Sequence, residues 1–312
     1  MTVTRYTIDF LKFRPYCYTL SLLIFASFFG GMYYKRYYSA RQSAFLYNVD
    51  FTGGTQVMFD FEKPASSEAI TVALKAAGFA DVSMREFSGT NKVLVRVQDS
   101  QFGGDEKQGH DSRIIVDRMK GVLQQLMPDN KLTILQTESV GPDVGKDLKR
   151  NSIYAVLLGI LLMLLYIWYR FWSFAFAMGS VVSLVHDAVV VLAFVLWFDY
   201  EISMTIIAAA LFVLGYSIHD TIVIFSRIRD RIHKKTAQES MEDVVNISIN
   251  ETLRRTLLTS FATTLVVVAL LVFGGEVLHA LSIALLVGIV FGTYSSIYIA
   301  SPVMLWLYRE EK

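Results

Sequence analysis

The chain is short of charge. Of its 312 residues, 18% are Asp, Glu, Lys or Arg and 54% are hydrophobic. A soluble domain carries about a quarter charged residues, so this composition excludes a purely soluble globule. The formal net charge is +1, which leaves no electrostatic case for nucleic acid or an acidic partner. Cys17 is the one cysteine, so no disulfide can form within the chain and the redox compartment stays open. The apolar stretch after Pro15 is long and aromatic-rich and has no small-residue cleavage pattern, so it reads as an uncleaved span. The chain also lacks a phosphate loop of the G-x-x-x-x-G-K-[ST] type. Gly53-Gly54 therefore reads as a tight turn where an outer domain meets the membrane.

What the chain does have is long apolar runs. A bilayer core of about 30 Å needs roughly 20 apolar residues per helix. Six stretches qualify: Tyr16 to Tyr34, Ile153 to Trp168, Phe174 to Trp197, Ile202 to Phe225, Leu257 to Phe273 and Leu278 to Leu307. Basic residues set the orientation. Arg5, Lys12 and Arg14 precede span one, and Arg170 lies between spans two and three. Arg227, Arg229, Arg231, Lys234, Lys235, Arg254 and Arg255 lie between spans four and five, and Arg309 and Lys312 follow span six. All fall on one side, which predicts cytoplasmic N- and C-termini. Lys35, Arg36 and Arg41 disagree, but they introduce a long domain whose charges weigh little.

That domain interrupts the apolar pattern with alternation. Thr55 to Phe61, Val82 to Phe87, Lys92 to Val97 and Lys131 to Val140 read as strands, and Ser66 to Ala77 and Asp111 to Met127 as helices. The order β-α-β-β-α-β predicts a ferredoxin-like α+β domain between helices one and two. Asp99 to Gly109 reads as a polar, Gly-rich loop, and the lone His110 argues against a metal site. The domain plan is residues 1–39 (N-terminus and first helix), 40–151 (extracytoplasmic domain), 152–308 (five further helices) and 309–312 (tail).

Asp220 lies inside the fourth span. A carboxylate at that depth costs about 2.5–3.5 kcal/mol on insertion, so it is kept where it is paired, wetted or used. Tyr216, Ser217 and Asp220 share a helix face, as do Ser180, Ser183 and Asp187 on span three and Arg255, Thr259 and Thr263 on span five. These three stripes predict a polar path inside the bundle. At about 1.5 Å per residue, Asp220 lies roughly 10 Å in from Arg227, and Asp187 roughly 20 Å from Ser173.

Six motifs in order carry a resemblance. They are Asp50-Phe-Thr-Gly-Gly-Thr55, Val140-Gly-Pro-Asp-Val-Gly-Lys-Asp-Leu148, Val185-His-Asp187, Gly215 through Arg229 with Ser-Ile-His-Asp at its centre, Thr252 through Ser260, and Gly292 through Pro302. Together they resemble the SecF family, the small subunits of the bacterial SecD–SecF protein-export complex, within the resistance-nodulation-division superfamily. Two positions depart from the family pattern: His219 stands where Asn is usual, and Ser226 where Asp is usual.

The resemblance implies a multi-pass protein of the bacterial inner membrane. It implies use of the proton motive force to assist preprotein export after the ATP-driven step, and no enzyme activity. Asp220 is then the proton carrier and Arg255 its switchable partner, supported by His219, Asp187, His186, Ser217 and Thr259. Asp50, Gly53, Gly54, Gly141 and Pro142 are family motif residues. No cofactor or metal is implied beyond the proton gradient, with sodium as the other ion. The implied partners are a six-span SecD-like subunit, the SecYEG channel, YajC, the translocating preprotein and the lipid bilayer, with no nucleic acid. Two other readings compete. An intramembrane aspartyl protease pairing Asp187 with Asp220 would show Gly-x-Gly-Asp where this chain has Ser-Ile-His-Asp. An efflux subunit of the same superfamily fits poorly with one modest outer domain and the Asp50-Phe-Thr-Gly-Gly motif.

Overall fold

The computed structural model describes residues 8–39, 43–87, 90–98 and 112–308. The 99–109 loop, His110 and the orienting charges Arg5, Arg41, Arg309 and Lys312 lie outside the described residues. The chain divides into two units, Tyr47–Ile153 and a helical unit made of Met1–Leu46 with Tyr154–Lys312.

In chain order the elements are α1 (Arg14–Tyr37), β1 (Leu46–Tyr47), α2 (Val49–Thr52), β2 (Gly54–Phe61), α3 (Ser67–Ala76), β3 (Ala80–Glu86), β4 (Lys92–Gln98), α4 (Ser112–Leu126) and β5 (Leu132–Val140). There follow α5 (Pro142–Phe171), α6 (Phe174–Trp197), β6 (Glu201–Ile202), α7 (Met204–Ile232), α8 (Met241–Phe273), α9 (Gly275–Ser295), a π-helical turn (Ser296–Ala300) and α10 (Ser301–Leu307).

In the smaller unit, four antiparallel strands lie in the order β3-β4-β2-β5. Alternation in β4 turns Val93, Val95 and Val97 inward. They meet Ile70 and Leu74 of α3 and Met119 and Leu123 of α4, so both helices cover one sheet face. Ser66 caps α3 by accepting from the Ala69 amide. The first two motifs of the chain meet here. Gly53 has φ +74° and Gly54 φ +114°, and a Cβ on Gly53 would stand 2.7 Å from Pro142 Cα. A Cβ on Gly145 would stand 3.1 Å from the Gly53 amide nitrogen. Glycine is therefore required where Asp50–Thr55 crosses the start of α5.

Among the described residues six segments are long and apolar enough to cross a membrane: Leu11–Tyr37, Pro142–Phe171, Phe174–Trp197, Met204–Ile232, Met241–Phe273 and Leu278–Leu307. Several helices run well past the apolar stretch that marks them in the sequence. α8 starts at Met241, where Ser240 and Asp243 form a reciprocal capping box, whereas hydropathy alone starts that span at Leu257. Helical hydrogen bonding continues through polar sequence, and hydropathy does not register it. The polar extension has a job: Asn246 accepts from the Leu11 amide at 3.1 Å and Asn250 from the Ile8 amide at 3.1 Å, tying the segment before α1 to α8. At the same level, Glu251 on α8 takes Arg227 at 2.5 Å and Arg231 at 2.6 Å from α7.

The sixth span is not one uniform α-helix. It widens into the π turn at Ser296–Ala300 just before Pro302. Proline has no N–H, and its ring clashes with the carbonyl of the preceding turn, so a wider turn relieves the crowding. Ser301 Oγ donates to the Ser296 carbonyl at 3.0 Å and replaces part of the lost ladder.

α6 and the Leu278–Leu307 span are the most enclosed, with 61% and 56% of their apolar windows buried, against 11% for α5 and for α8. The centre of this unit is therefore α6 and α9, with α7 packed against both. Close approach depends on missing side chains. A Cβ on Gly288 would stand 2.1 Å from Val213 Cγ2, and one on Gly292 3.1 Å from Ser217 Cβ. Small residues at such crossings let helices gain contact where lipid supplies no hydrophobic drive.

Candidate functional site

Among the described residues of the helical unit two carboxylates are buried, Asp187 at 1% and Asp220 at 2% exposure. Each sits in its own hydroxyl cluster.

Asp220 lies on α7. Ser260 on α8 donates to its Oδ2 at 3.4 Å. Ser260 also contacts Thr293 Oγ1 on α9 at 2.7 Å, and Tyr216 donates to Ser260 at 3.3 Å. Thr293 spends its own hydrogen on the Ile289 carbonyl at 3.0 Å. The single Ser260 hydrogen is therefore divided between Thr293 and Asp220, and the bond it gives Asp220 is long. One turn before Ser260, the buried Thr256 hydroxyl has no hydrogen-bond partner among the described residues.

Asp187 lies on α6 and is held far more tightly. Ser217 on α7 donates to its Oδ2 at 2.5 Å and Ser295 on α9 at 2.9 Å. Its Oδ1 stands 3.2 Å from His186 Nδ1. Ser183 on α6 donates to Ser295 at 2.9 Å. Ser180 turns back to its own helix, donating to the Phe176 carbonyl at 3.1 Å.

The predicted face of Tyr216, Ser217 and Asp220 is thus divided. Ser217 serves Asp187, while Tyr216 and Asp220 meet Ser260. The reason is that α7 packs against α6, α8 and α9 on different sides. The predicted three-helix path through spans three, four and five also shifts. α9 is the shared helix, because Thr293 belongs to the Asp220 cluster and Ser295 to the Asp187 cluster.

On α8, Thr259 donates to the Arg255 carbonyl at 3.1 Å and Thr263 to the Thr259 carbonyl at 3.0 Å. Arg255 and His219 are exposed on the outer surface of this chain. Among the described residues Arg255 forms no ion pair with Asp220. Asp50, Gly53, Gly54, Gly141 and Pro142 belong to the other unit, around α2 and the start of α5.

Sequence reasoning about the carboxylates missed Ser260, Thr293 and Ser295 as their partners. The signal was present, because Ser260 closes the Thr252–Ser260 motif and Thr293 and Ser295 fall within Gly292–Pro302. Ser21 and Tyr294, which reach His186, gave no periodic signal. No cluster of three or more His, Cys, Asp or Glu arranged for a metal ion occurs among the described residues.

Comparison with known proteins adds the following. The family model of the protein-export membrane protein SecD/SecF, C-terminal, matches residues 119–310. Protein translocase subunit SecF of Pseudomonas aeruginosa is 36% identical over 309 residues, covering 98% of this chain and 94% of that protein. SecF of Sebaldella termitidis is 38% identical over 280 residues, covering 88% and 86%. The crystal structure of SecDF, a translocon-associated membrane protein from Thermus thermophilus, superposes with a TM-score of 0.80 at 32% identity. It covers 98% of this chain, which spans 39% of that longer chain. SecDF in its super-membrane-facing form gives a TM-score of 0.64 at 32% identity. With six membrane-spanning helices and relatives matched along nearly its whole length, this chain is a multi-pass membrane protein of the SecD/SecF protein-export family and belongs to its SecF subunits.

Proposed function

We propose that this subunit uses the proton motive force to assist preprotein export across the bacterial inner membrane after the ATP-driven step, with Asp220 as the proton carrier. The observation that supports the role of Asp220 most directly is its poor solvation. It is 2% exposed, and the hydrogen bond it accepts from Ser260 is 3.4 Å long. A permanently charged group buried this way costs several kcal/mol unless paired and bonded. A carboxyl that gains and loses a proton has a stable form for this place, because the acid can donate to Ser260.

Arg255 is the proposed switchable partner. It lies nine residues before Thr264 on α8, on an outer surface that a second six-span subunit can cover. An adjacent cation favours the charged carboxylate, so approach and withdrawal of Arg255 would bias Asp220 between its two forms. Thr259, one turn along α8 from Arg255, and His219, next to Asp220 on α7, are the supporting groups in this reading. The SecDF chains place this subunit's counterpart within a longer SecD-containing chain, which supports a SecD-like partner here. SecYEG and YajC are the further partners in this reading. The unit Tyr47–Ile153 is read as a ferredoxin-like domain on the outer side that handles the emerging preprotein, with both termini cytoplasmic.

The test is gradient-dependent export in inverted membrane vesicles carrying Asp220→Asn at wild-type abundance. Asn keeps the size and the hydrogen bonds but carries no proton. Loss of the stimulation given by the gradient, with partner binding intact, is the expected result. Full gradient dependence would remove Asp220 from the coupling path. Imposing proton and sodium gradients separately identifies the ion.

A further inference from the structure

The cluster around Asp187 holds a second titratable group, His186, which the reading above does not use. His186 is 2% exposed. Its Nδ1 faces Asp187 Oδ1 at 3.2 Å, and its Nε2 faces Ser21 Oγ on α1 at 3.1 Å. Ser21 Oγ in turn stands 3.2 Å from the Tyr294 hydroxyl on α9, and that hydroxyl stands 2.7 Å from the Cys17 carbonyl on α1.

With every contact along this line a hydrogen bond, the hydrogens can be counted. A carbonyl only accepts, so Tyr294 donates its single hydrogen to Cys17. The Ser21–Tyr294 contact then needs the Ser21 hydrogen. With that hydrogen spent, Ser21 accepts from His186, so Nε2 carries a hydrogen. The contact between Nδ1 and Asp187 Oδ1 needs one more, whether it sits on nitrogen or on oxygen. Asp187 Oδ2 meanwhile stands 2.5 Å from the Ser217 hydroxyl and 2.9 Å from that of Ser295, which shares its hydrogen with the Gly292 carbonyl.

We infer that His186 and Asp187 form an electroneutral proton-binding site that holds two protons between them, separate from Asp220 and locked by α1 through Ser21 and Tyr294. Loss of one proton would leave a net negative charge at full burial, which a low-dielectric interior resists. The other titratable groups near it are Cys17 and Tyr18 on α1, Asp220 on α7, Tyr294 on α9 and Tyr298 in the π turn. No Lys or Arg among the described residues bonds to the pair. Phe25 stacks on the imidazole with ring centroids 6.0 Å apart, and Val182, Val185 and Ile299 line the groove beside it, where Tyr18 is the other residue with a hydroxyl besides Ser21. Because Ser21 and the Cys17 carbonyl both belong to α1, withdrawal of α1 removes the acceptor and loosens the proton. The site therefore couples proton occupancy to the docking of α1 on α6 and α9.

The inference stands independently of the coupling role of Asp220. Its test is solid-state NMR on the full-length protein in lipid bilayers, with 15N-histidine and 13C-aspartate labels. The chain has five histidines, and loss of signal in His186→Gln and Asp187→Asn assigns the pair. Two protons on the pair at neutral pH are expected, as an imidazolium beside a carboxylate or an Nε2–H imidazole beside a carboxylic acid. A singly protonated imidazole beside an ionised Asp187 overturns the inference. Tyr294→Phe frees the Ser21 hydrogen to turn toward Nε2, so release of the second proton should shift by about one pH unit, tenfold in affinity, to lower pH. Ser21→Ala removes the acceptor and should shift release the same way. If both variants release the proton at the wild-type pH, α1 does not control the site.

Discussion

Ser217 and Asp187, on neighbouring helices, share a 2.5 Å hydrogen bond, while Asp220, one turn further along the same helix as Ser217, has no contact in that cluster. Two carboxylates close in sequence terms to the same polar stripe thus have different solvation. Asp187 has hydroxyls at 2.5 and 2.9 Å, whereas the Ser260 hydroxyl stands 3.4 Å from Asp220.

This difference gives the first prediction. Ser217→Ala removes the shorter of two hydroxyl donors to a buried carboxylate. Stability should fall by about 1–3 kcal/mol, read as a lower Tm of the protein in detergent. Ser217→Thr keeps the hydroxyl and should recover part of the loss. An unchanged Tm for Ser217→Ala would mean that Ser295 and His186 satisfy Asp187 alone.

A second prediction concerns the crossing of the first two motifs. Gly53→Ala forces a Cβ at positive φ to within 2.7 Å of Pro142 Cα. The expected cost is about 1–3 kcal/mol, seen as faster amide exchange across Tyr47–Ile153 in the full chain. Gly141→Ala is the control, because a Cβ there meets nothing within 4 Å. Equal effects from the two variants would refute the steric account.

The approach of α7 and α9 can be probed by relief of a clash. Gly288→Ala places a methyl 2.1 Å from Val213 Cγ2, and overpacking of this kind costs about 1–3 kcal/mol. Val213→Ala in the same chain should restore most of the lost Tm. Failure of the second substitution to compensate would show that the two residues are not opposed.

The last prediction bears on the proposed switch. Arg255→Met should reduce gradient-dependent export by about tenfold or more, the scale on which one adjacent cation shifts a carboxylate, while vesicle insertion stays normal. Arg255→Lys should retain part of the activity. If Arg255→Met keeps its gradient dependence, Asp220 is governed by groups of its own cluster, with Ser260 and Thr293 the first to examine.

The sequence by itself determined the number of spans, because a bilayer imposes a minimum apolar length that six stretches meet and alternating segments such as Lys92 to Val97 do not. It also exposed Asp220 and Asp187 as anomalies, since a carboxylate in an apolar run is conspicuous whatever its surroundings. The turn glycines at 53 and 54 were legible for the same local reason. Helix ends were not, as the polar start of α8 shows, because hydrogen-bonded helix and apolar helix are different things. Nor was the break before Pro302, where the wider turn depends on how the neighbouring helices accept it. Above all, only the tertiary structure decided which hydroxyl meets which carboxylate. Periodicity places Ser217 and Asp220 on one side of their own helix, but α7 is surrounded by three others. Which of them lies against each residue depends on contacts between segments up to 79 residues apart, such as Ser217 with Ser296, and no local pattern in the chain encodes that.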